Sequence, residues 1–335
     1  MREITEWQHV DFDKFHNEIV PTRQPAVIRS LVGDWPAVVT ARSGSAETCR
    51  YLEGLDAGQP VYTIAAPPDA DGRFFYRDDL QSVNFNRGQI QLVQVLAKLL
   101  DNIDVPEPHS IAVQALEVRD SLPEFEANNP MPLMNAEVRP TMWIGNRGRV
   151  SPHYDVHRNL ACVMAGRREF TLFPPDQIEN LYLGPVLDAP GGVPISLVDV
   201  QNPDFEKFPR YADAQTAAQQ TVLEPGDAIY IPSLWWHGVT SLEPLNVLVN
   251  YWWGGYNDSG ISPNDSMLHA MLSIAELDES QRAAWRSYFD YYVFGSDVDP
   301  AEHLPKDLHD IVTSLSPDQS TTIREFLAQR LMRKP

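Results

Sequence analysis

The sequence predicts a mainly β protein with flanking helices: an antiparallel sandwich or barrel core, an N-terminal α/β elaboration and a C-terminal helical segment. Short β-prone runs crowd between about residues 111 and 253 with no helices alternating between them, which argues against a doubly wound parallel sheet. These runs are IAVQALEV, TMWIG, LACVMA, EFTLF, DAIYIP, HGVTSL and LNVLVNYWW, separated by Pro, Gly, Asn and Asp clusters. Beyond Gly254 the spacing becomes helical. The expected division is therefore 1–255, carrying the β core, and 256–335, the helical region.

Taken in order, Phe12, Phe15 and Ile19 share one helical face, and PAVIRSL reads as a short buried strand that feeds the sheet. Val61 to Ala65 and Arg73 to Tyr76 are β-prone, and GQIQLVQVLAKLL from Gly88 reads as one amphipathic helix with Ile90, Val93, Leu96 and Leu100 along it. The stretch from Pro174 to Ala217, rich in Pro, Gly and Asp, is too irregular for a core strand and reads as an insertion. PNDSMLHAMLSIAEL, SQRAAWRSYFDYYVF and SPDQSTTIREFLAQRLM are three helices with Ser or Asp caps. In the last of them Ile323, Phe326, Leu327 and Leu331 form an apolar stripe that packs either on its own domain or on a second copy of the chain.

A chain of 335 residues, 43% hydrophobic and 21% charged, can bury a sizeable core. Its formal net charge of −20 repels phosphate backbones and anionic lipid and favours cationic partners, so nucleic acid and membrane are not expected. Cys49 and Cys162 are the two cysteines. They exclude a disulfide framework and an all-cysteine zinc site, and read as buried small hydrophobes in a reducing compartment. The N-terminus lacks the plan of a secretory signal and no apolar run reaches the roughly 20 residues of a membrane span, so the cytoplasm is the expected location.

The chemistry concentrates in SPHYDVHRNLACVMAGRREFTLFPPD, residues 151–176. On a strand His153 and Asp155 point the same way and Tyr154 the other, making a two-toothed clamp. Alone, H-x-D could be a polar corner of the β core. IPSLWWHGV supplies a third tooth, His237, entering a late strand that a barrel can lay beside an early one. Two imidazoles and one carboxylate on one face of a metal leave the opposite positions open, the arrangement of oxygen-activating non-haem Fe(II), whereas zinc is more often closed by a fourth ligand. His157 could also face the metal if the strand continued, but Arg158 and Asn159 suggest a bend.

H-Y-D followed by Asn159 and Gly166, LFPPDQIENLY, NPDFEKFP, LEPGDAIYIPSLWWH and VNYWW, in that order, resemble the cupin-like branch of the jumonji-C dioxygenases, its asparaginyl hydroxylases in particular. The resemblance implies a double-stranded β-helix (cupin or jelly-roll) fold, Fe(II) held by His153, Asp155 and His237, and 2-oxoglutarate as co-substrate. It places the far carboxylate of 2-oxoglutarate on Arg168, where close relatives carry lysine; arginine can grip a carboxylate with two charge-assisted bonds. The plain alternative is that Arg167 and Arg168 form a solvated turn after Gly166. Asn159 and Asn250 align with polar residues of the co-substrate pocket, and Ser151 is taken with them although Ser151-Pro152-His153 lacks the family's spacer. Ile111 stands where a pocket tyrosine is expected, and Trp252 aligns with an aromatic near the substrate. Phe170, Leu172, Ile229 and Val249 would supply apolar walls.

The resemblance implies hydroxylation of a C–H bond, on a protein or peptide side chain. N-methyl-lysine or N-methyl-arginine demethylation and a non-catalytic cupin that binds metal or a small acid are the alternatives. It also implies a homodimer formed through the C-terminal helices.

Overall fold

A computed structural model describes residues 2–187, 190, 192–256, 261–295, 297–306, 309 and 315–332. Its strands are β1 Arg2–Glu3, β2 Thr5–Trp7, β3 Ala26–Ile28, β4 Pro60–Ala66, β5 Asn86–Gln91, β6 Ser110–Glu117, β7 Pro140–Gly145, β8 Gly148–Tyr154, β9 Arg158–Ala165, β10 Arg168–Phe173, β11 Gln219–Leu223, β12 Ala228–Ile231, β13 Trp236–Ser241 and β14 Asn246–Trp253. They form a five-stranded sheet, β1-β11-β10-β13-β8, and a nine-stranded sheet, β2-β3-β12-β9-β14-β7-β6-β4-β5. Within these, β11-β10-β13-β8 and β12-β9-β14-β7 are antiparallel quartets. Phe170, Leu172 and Val239 from one quartet pack with Ala161, Val163, Ile229, Ile231 and Leu248 from the other. This is the face-to-face core of a jelly roll, as expected.

The composition of β9 follows from its place. Ala161 and Val163 face the inner core, while Leu160, Cys162 and Met164 face a second core built with the N-terminal elements. A strand buried on both faces needs a continuous apolar run, hence LACVMA. Cys49 and Cys162 are both buried thiols, pushed upward in pKa chiefly by that burial.

Several local readings are corrected by pairing. The run from Gly88 is not one helix: Asn86–Gln91 pairs with β4, and the helix begins at Leu92 and ends at Asp101. Its buried face is Leu92, Val95, Leu96 and Leu99, leaving Val93 exposed. Arg73 and Tyr76 make single bridges rather than a strand. The helical turns from Phe12 to Ile19 bury Phe15 and Ile19 but expose Phe12. QQTVL gave no strand signal, yet Gln219–Leu223 is β11, ordered by its ladders with β10 and β1.

The insertion is anchored. Leu181, Val198, Tyr211 and Ala214 pack with Phe173 and Trp236 in a satellite core, and Tyr211–Ala217 is helical. Asp188, Ala189 and Gly191 within it lie outside the described residues.

The chain divides after Gly255 into two compact units. The second contains the helices Pro263–Ile274, Glu279–Phe289 and Pro317–Leu331, capped by Ser262, Asp278 and Ser316 as their sequences suggest. None of these helices buries a residue. Ile323, Phe326, Leu327 and Leu331 are exposed at 41%, 54%, 38% and 59%, so among the described residues the stripe is not buried.

Candidate metal centre

The ladder between β8 and β13 sets His153 directly opposite His237, and Tyr154 opposite Trp236. Directly opposed side chains emerge on the same face. The imidazole centroids are accordingly 4.2 Å apart. Asp155 lies one residue beyond the end of β8, so strand alternation alone does not aim it. Its carbonyl accepts from the Leu234 N–H at 2.8 Å, and its carboxylate Oδ2 lies 3.7 Å from His237 Nε2. One donor atom from each of His153, Asp155 and His237 falls within 4.8 Å of the others. Among the described residues no other group of three His, Cys, Asp or Glu side chains converges this way, and His157 is not in the cluster. Tyr154 points away, as alternation predicts, and its ring packs on Trp236.

Both imidazoles are oriented by backbone two residues earlier. His153 Nδ1 is 3.1 Å from the Ser151 carbonyl and His237 Nδ1 is 3.1 Å from the Trp235 carbonyl. A carbonyl accepts only, so Nδ1 carries the proton and Nε2 keeps its lone pair for a metal. Burial, reinforced by His153, pushes His237 well below its ordinary pKa, with Asp155 opposing. Burial works against the charge of Asp155, but His237, His153, the Trp252 indole and the Asn159 amide together hold its carboxyl below the usual range. Neutral imidazole beside ionised carboxylate is the protonation state that metal binding requires.

Asn159 and Asn250 form a chain that ends on this carboxylate. Asn159 Nδ2 donates to Asp155 Oδ2 at 3.2 Å, and Asn250 Nδ2 donates to Asn159 Oδ1 at 2.7 Å. Because an ionised carboxylate cannot donate, it dictates the orientation of Asn159, and Asn159 dictates that of Asn250. The residual atom is Asn250 Oδ1, buried and without a protein partner. It calls for a donor such as water or a hydroxyl rather than a carboxylate oxygen.

Arg168 opens β10 on the row that continues through Phe170 to Leu172, the residue opposite His237. Four residues of strand correspond to about 13 Å. Arg168 is only 7% exposed, and its Nε is buried with no hydrogen-bond partner. Burial pulls its pKa down to about 10, which leaves it charged at neutral pH. An uncompensated buried cation is costly, so the position fits an anionic ligand. The solvated-turn alternative describes Arg167 instead, which is half exposed and paired with Glu243 at 2.6 Å.

Two expected pocket residues, Ser151 and Val249, have other neighbours, as does Ile111, which stands where a pocket tyrosine is expected. The Ser151 hydroxyl accepts from Arg73 Nε at 3.2 Å, so its contribution to the cluster is the carbonyl that holds His153. Ile111 and Val249 belong to the second core rather than to the inner one, so neither lines the centre; Leu248, next to Val249, faces inward. Phe170, Leu172 and Ile229 do line the inner core. Sequence reasoning missed Thr141, buried directly opposite Asn250 on β7. Alternation in TMWIG, which puts Thr141 and Trp143 on one face, was the available signal. Trp252, expected as a wall, donates its indole N–H to Asp155 Oδ2 at 3.0 Å and packs edge-on against Trp143.

The profile of the cupin-like domain family matches residues 12–259. JmjC domain-containing protein D of Dictyostelium discoideum is 28% identical over 254 residues, 69% of this chain and 52% of that protein. Lysine-specific demethylase 8 of Xenopus tropicalis is 27% identical over 248 residues, 72% and 50% of the two chains. Lysine-specific demethylase JMJ31 of Arabidopsis thaliana is 38% identical over 112 residues, 33% and 20%. The chain thus spans about half or less of each of these relatives. None of the three is an asparaginyl hydroxylase by name, so the narrower likeness rests on the motifs alone. With a jelly-roll core and a profile match over most of its length, the chain belongs to the cupin-like domain family.

Proposed function

We propose that this protein is an Fe(II)- and 2-oxoglutarate-dependent oxygenase that hydroxylates a C–H bond on a protein or peptide side chain. The observation that carries the reading is the placement of Arg168, a buried side chain whose Nε has no hydrogen-bond partner and which makes no ion pair among the described residues, on the same inward row that leads to His237. His153, Asp155 and His237 would hold the metal, and Arg168 would take the far carboxylate of the oxo acid. Bound there, iron and 2-oxoglutarate supply the oxidising power for attack on an unactivated C–H bond. The chain's own residues hold and orient: carbonyls of Ser151 and Trp235 aim the imidazoles, Asn159 and Trp252 fix the carboxylate, and Phe170, Leu172 and Ile229 keep the interior dry.

The names of two relatives favour demethylation as a second reading. The net charge of −20 would draw a basic peptide for either reaction. The test begins with anaerobic Fe(II) and 2-oxoglutarate, watched for a weak visible charge-transfer band, then admits oxygen and measures succinate. A protein that binds metal but gives neither band nor succinate would be a binding module instead. A +16 mass shift on a captured peptide supports hydroxylation, and formaldehyde from methylated peptides supports demethylation. The uncovered stripe of Ile323, Phe326, Leu327 and Leu331 supports a homodimer through the C-terminal helices.

A further inference from the structure

The ladder that carries the two imidazoles is broken one step before His153. Val150 pairs with Val239 and His153 with His237, so Ser151 and Pro152 together stand opposite the single residue Gly238. A two-against-one bulge bends its strand and interrupts the ladder, and proline supplies no N–H to mend it. Pairing with β13 therefore does not by itself fix the two residues that lead into His153, although the Ser151 carbonyl is what His153 Nδ1 rests on. The bulge is held from outside the ladder instead. Arg73 Nε donates to Ser151 Oγ at 3.2 Å, while Arg73 Nη2 donates to the Leu197 and Val198 carbonyls at 3.3 and 3.1 Å. The Ser196 N–H donates to the Pro152 carbonyl at 2.8 Å. Within the insertion, the Leu197 N–H on the Tyr182 carbonyl and the Gly184 N–H on the Ile195 carbonyl, both at 2.9 Å, join these residues into a hairpin.

Arg73 does this at a cost. Burial pulls its pKa down to about 10, which leaves it charged at neutral pH, and Asp199, whose charge favours it, is bound to Arg149 at 3.0 and 3.3 Å. A cation drawn out of water and given neutral acceptors is expensive. What arginine offers in return is a planar fork that bonds two chain segments at once, and the Phe75 ring, with its centroid 3.6 Å from Cζ, steadies the plane of that fork.

We infer that Arg73 is a positioning residue for the metal centre: it clamps the insertion onto the bulge before His153, so that order in the insertion and metal binding by His153 are coupled. The inference rests on the metal-binding reading of the cluster and deepens it. Coupling of this kind is reciprocal, so whatever factor the clamped insertion adds to metal affinity, the metal adds to clamping.

Co(II) is the probe, read in the full-length protein by its visible band and by amide hydrogen exchange. In the wild type, saturating Co(II) should slow exchange at Ser196 and Leu197 by about 5-fold or more, the lower end of ordinary coupling, and leave the helix Ser45–Glu53, outside the insertion, unchanged. Arg73→Met should weaken Co(II) binding by about 10-fold, the scale of losses from deleting outer partners of metal ligands, shift the band and abolish the Co(II)-dependent slowing. Ser151→Ala deletes the hydroxyl and keeps the carbonyl. It should act in the same direction, add nothing to Co(II) affinity loss in the double variant, and it carries the test if Arg73→Met does not fold. Exchange that quickens in the variant by the same factor with and without Co(II), at unchanged Co(II) affinity and band, is the result of a purely structural clamp and overturns the inference. A wild-type protein that does not bind Co(II) overturns the metal reading itself, and the inference with it.

Discussion

His237 and Asp155, far apart along the chain, bring Nε2 and Oδ2 to 3.7 Å, where burial works against the charge of each and their mutual attraction works for it. His237 carries the larger consequence. Burial and His153 push it from 6.5 to about 4. Between those values the unfolded chain binds a proton that the folded chain refuses, so unfolding is favoured as pH falls. The metal-free protein should keep its full stability above about pH 6.5 and lose it progressively towards pH 4, as read by denaturant midpoints across that range. His237→Gln should flatten this slope.

Metal should stabilise the fold through the same cluster. At a free concentration of 100 times Kd, Co(II) should add about 2.7 kcal/mol to the free energy of unfolding. A thermal melt with and without Co(II) measures this. Asp155→Ala and His237→Ala should each abolish the shift; a shift that survives both would place the ion elsewhere.

Arg168 is predicted to set the requirement for 2-oxoglutarate. Loss of a charge-assisted bond of roughly 1.5–3 kcal/mol should raise the half-saturating concentration by about 10-fold or more in Arg168→Ala. Arg168→Lys should recover part of it, because the ammonium keeps the charge but not the two-pronged geometry. Titration of the anaerobic Fe(II) charge-transfer band gives the number without a peptide substrate.

Gly166 makes the turn that delivers β10 to this position. It has φ +71°, and a Cβ there would come within 2.6 Å of the Leu245 carbonyl oxygen. Gly166→Ala therefore combines left-handed strain with a backbone clash and should cost about 1–3 kcal/mol. Urea midpoints test it, and an unchanged midpoint would show that the turn yields.

The proposed homodimer predicts that Phe326→Asp with Leu331→Asp shifts the chain from dimer to monomer in sedimentation. These residues are 54% and 59% exposed, so a single chain has little to lose by the change. A wild-type monomer would reject the dimer outright.

Where a segment's chemistry is local, the amino-acid order was sufficient. The crowd of short strands and the Ser and Asp helix caps were legible, because alternation and capping are properties of a few neighbouring side chains; the ligand types of His153, Asp155 and His237 were legible too, but their convergence depends on the β8–β13 ladder and on a residue beyond the end of β8. Tertiary structure decided the rest. Gln219–Leu223 is a strand only because β10 and β1 offer it ladders, and Asn86–Gln91 leaves the helical pattern because β4 pairs with it. Which of Arg167 and Arg168 turns inward, which face Val249 and Ile111 take, and the polar task of Trp252 depend on register across strands remote in sequence. A shift of one residue reverses the face of every side chain on a strand, and that register is set by packing between sheets rather than by the strand itself.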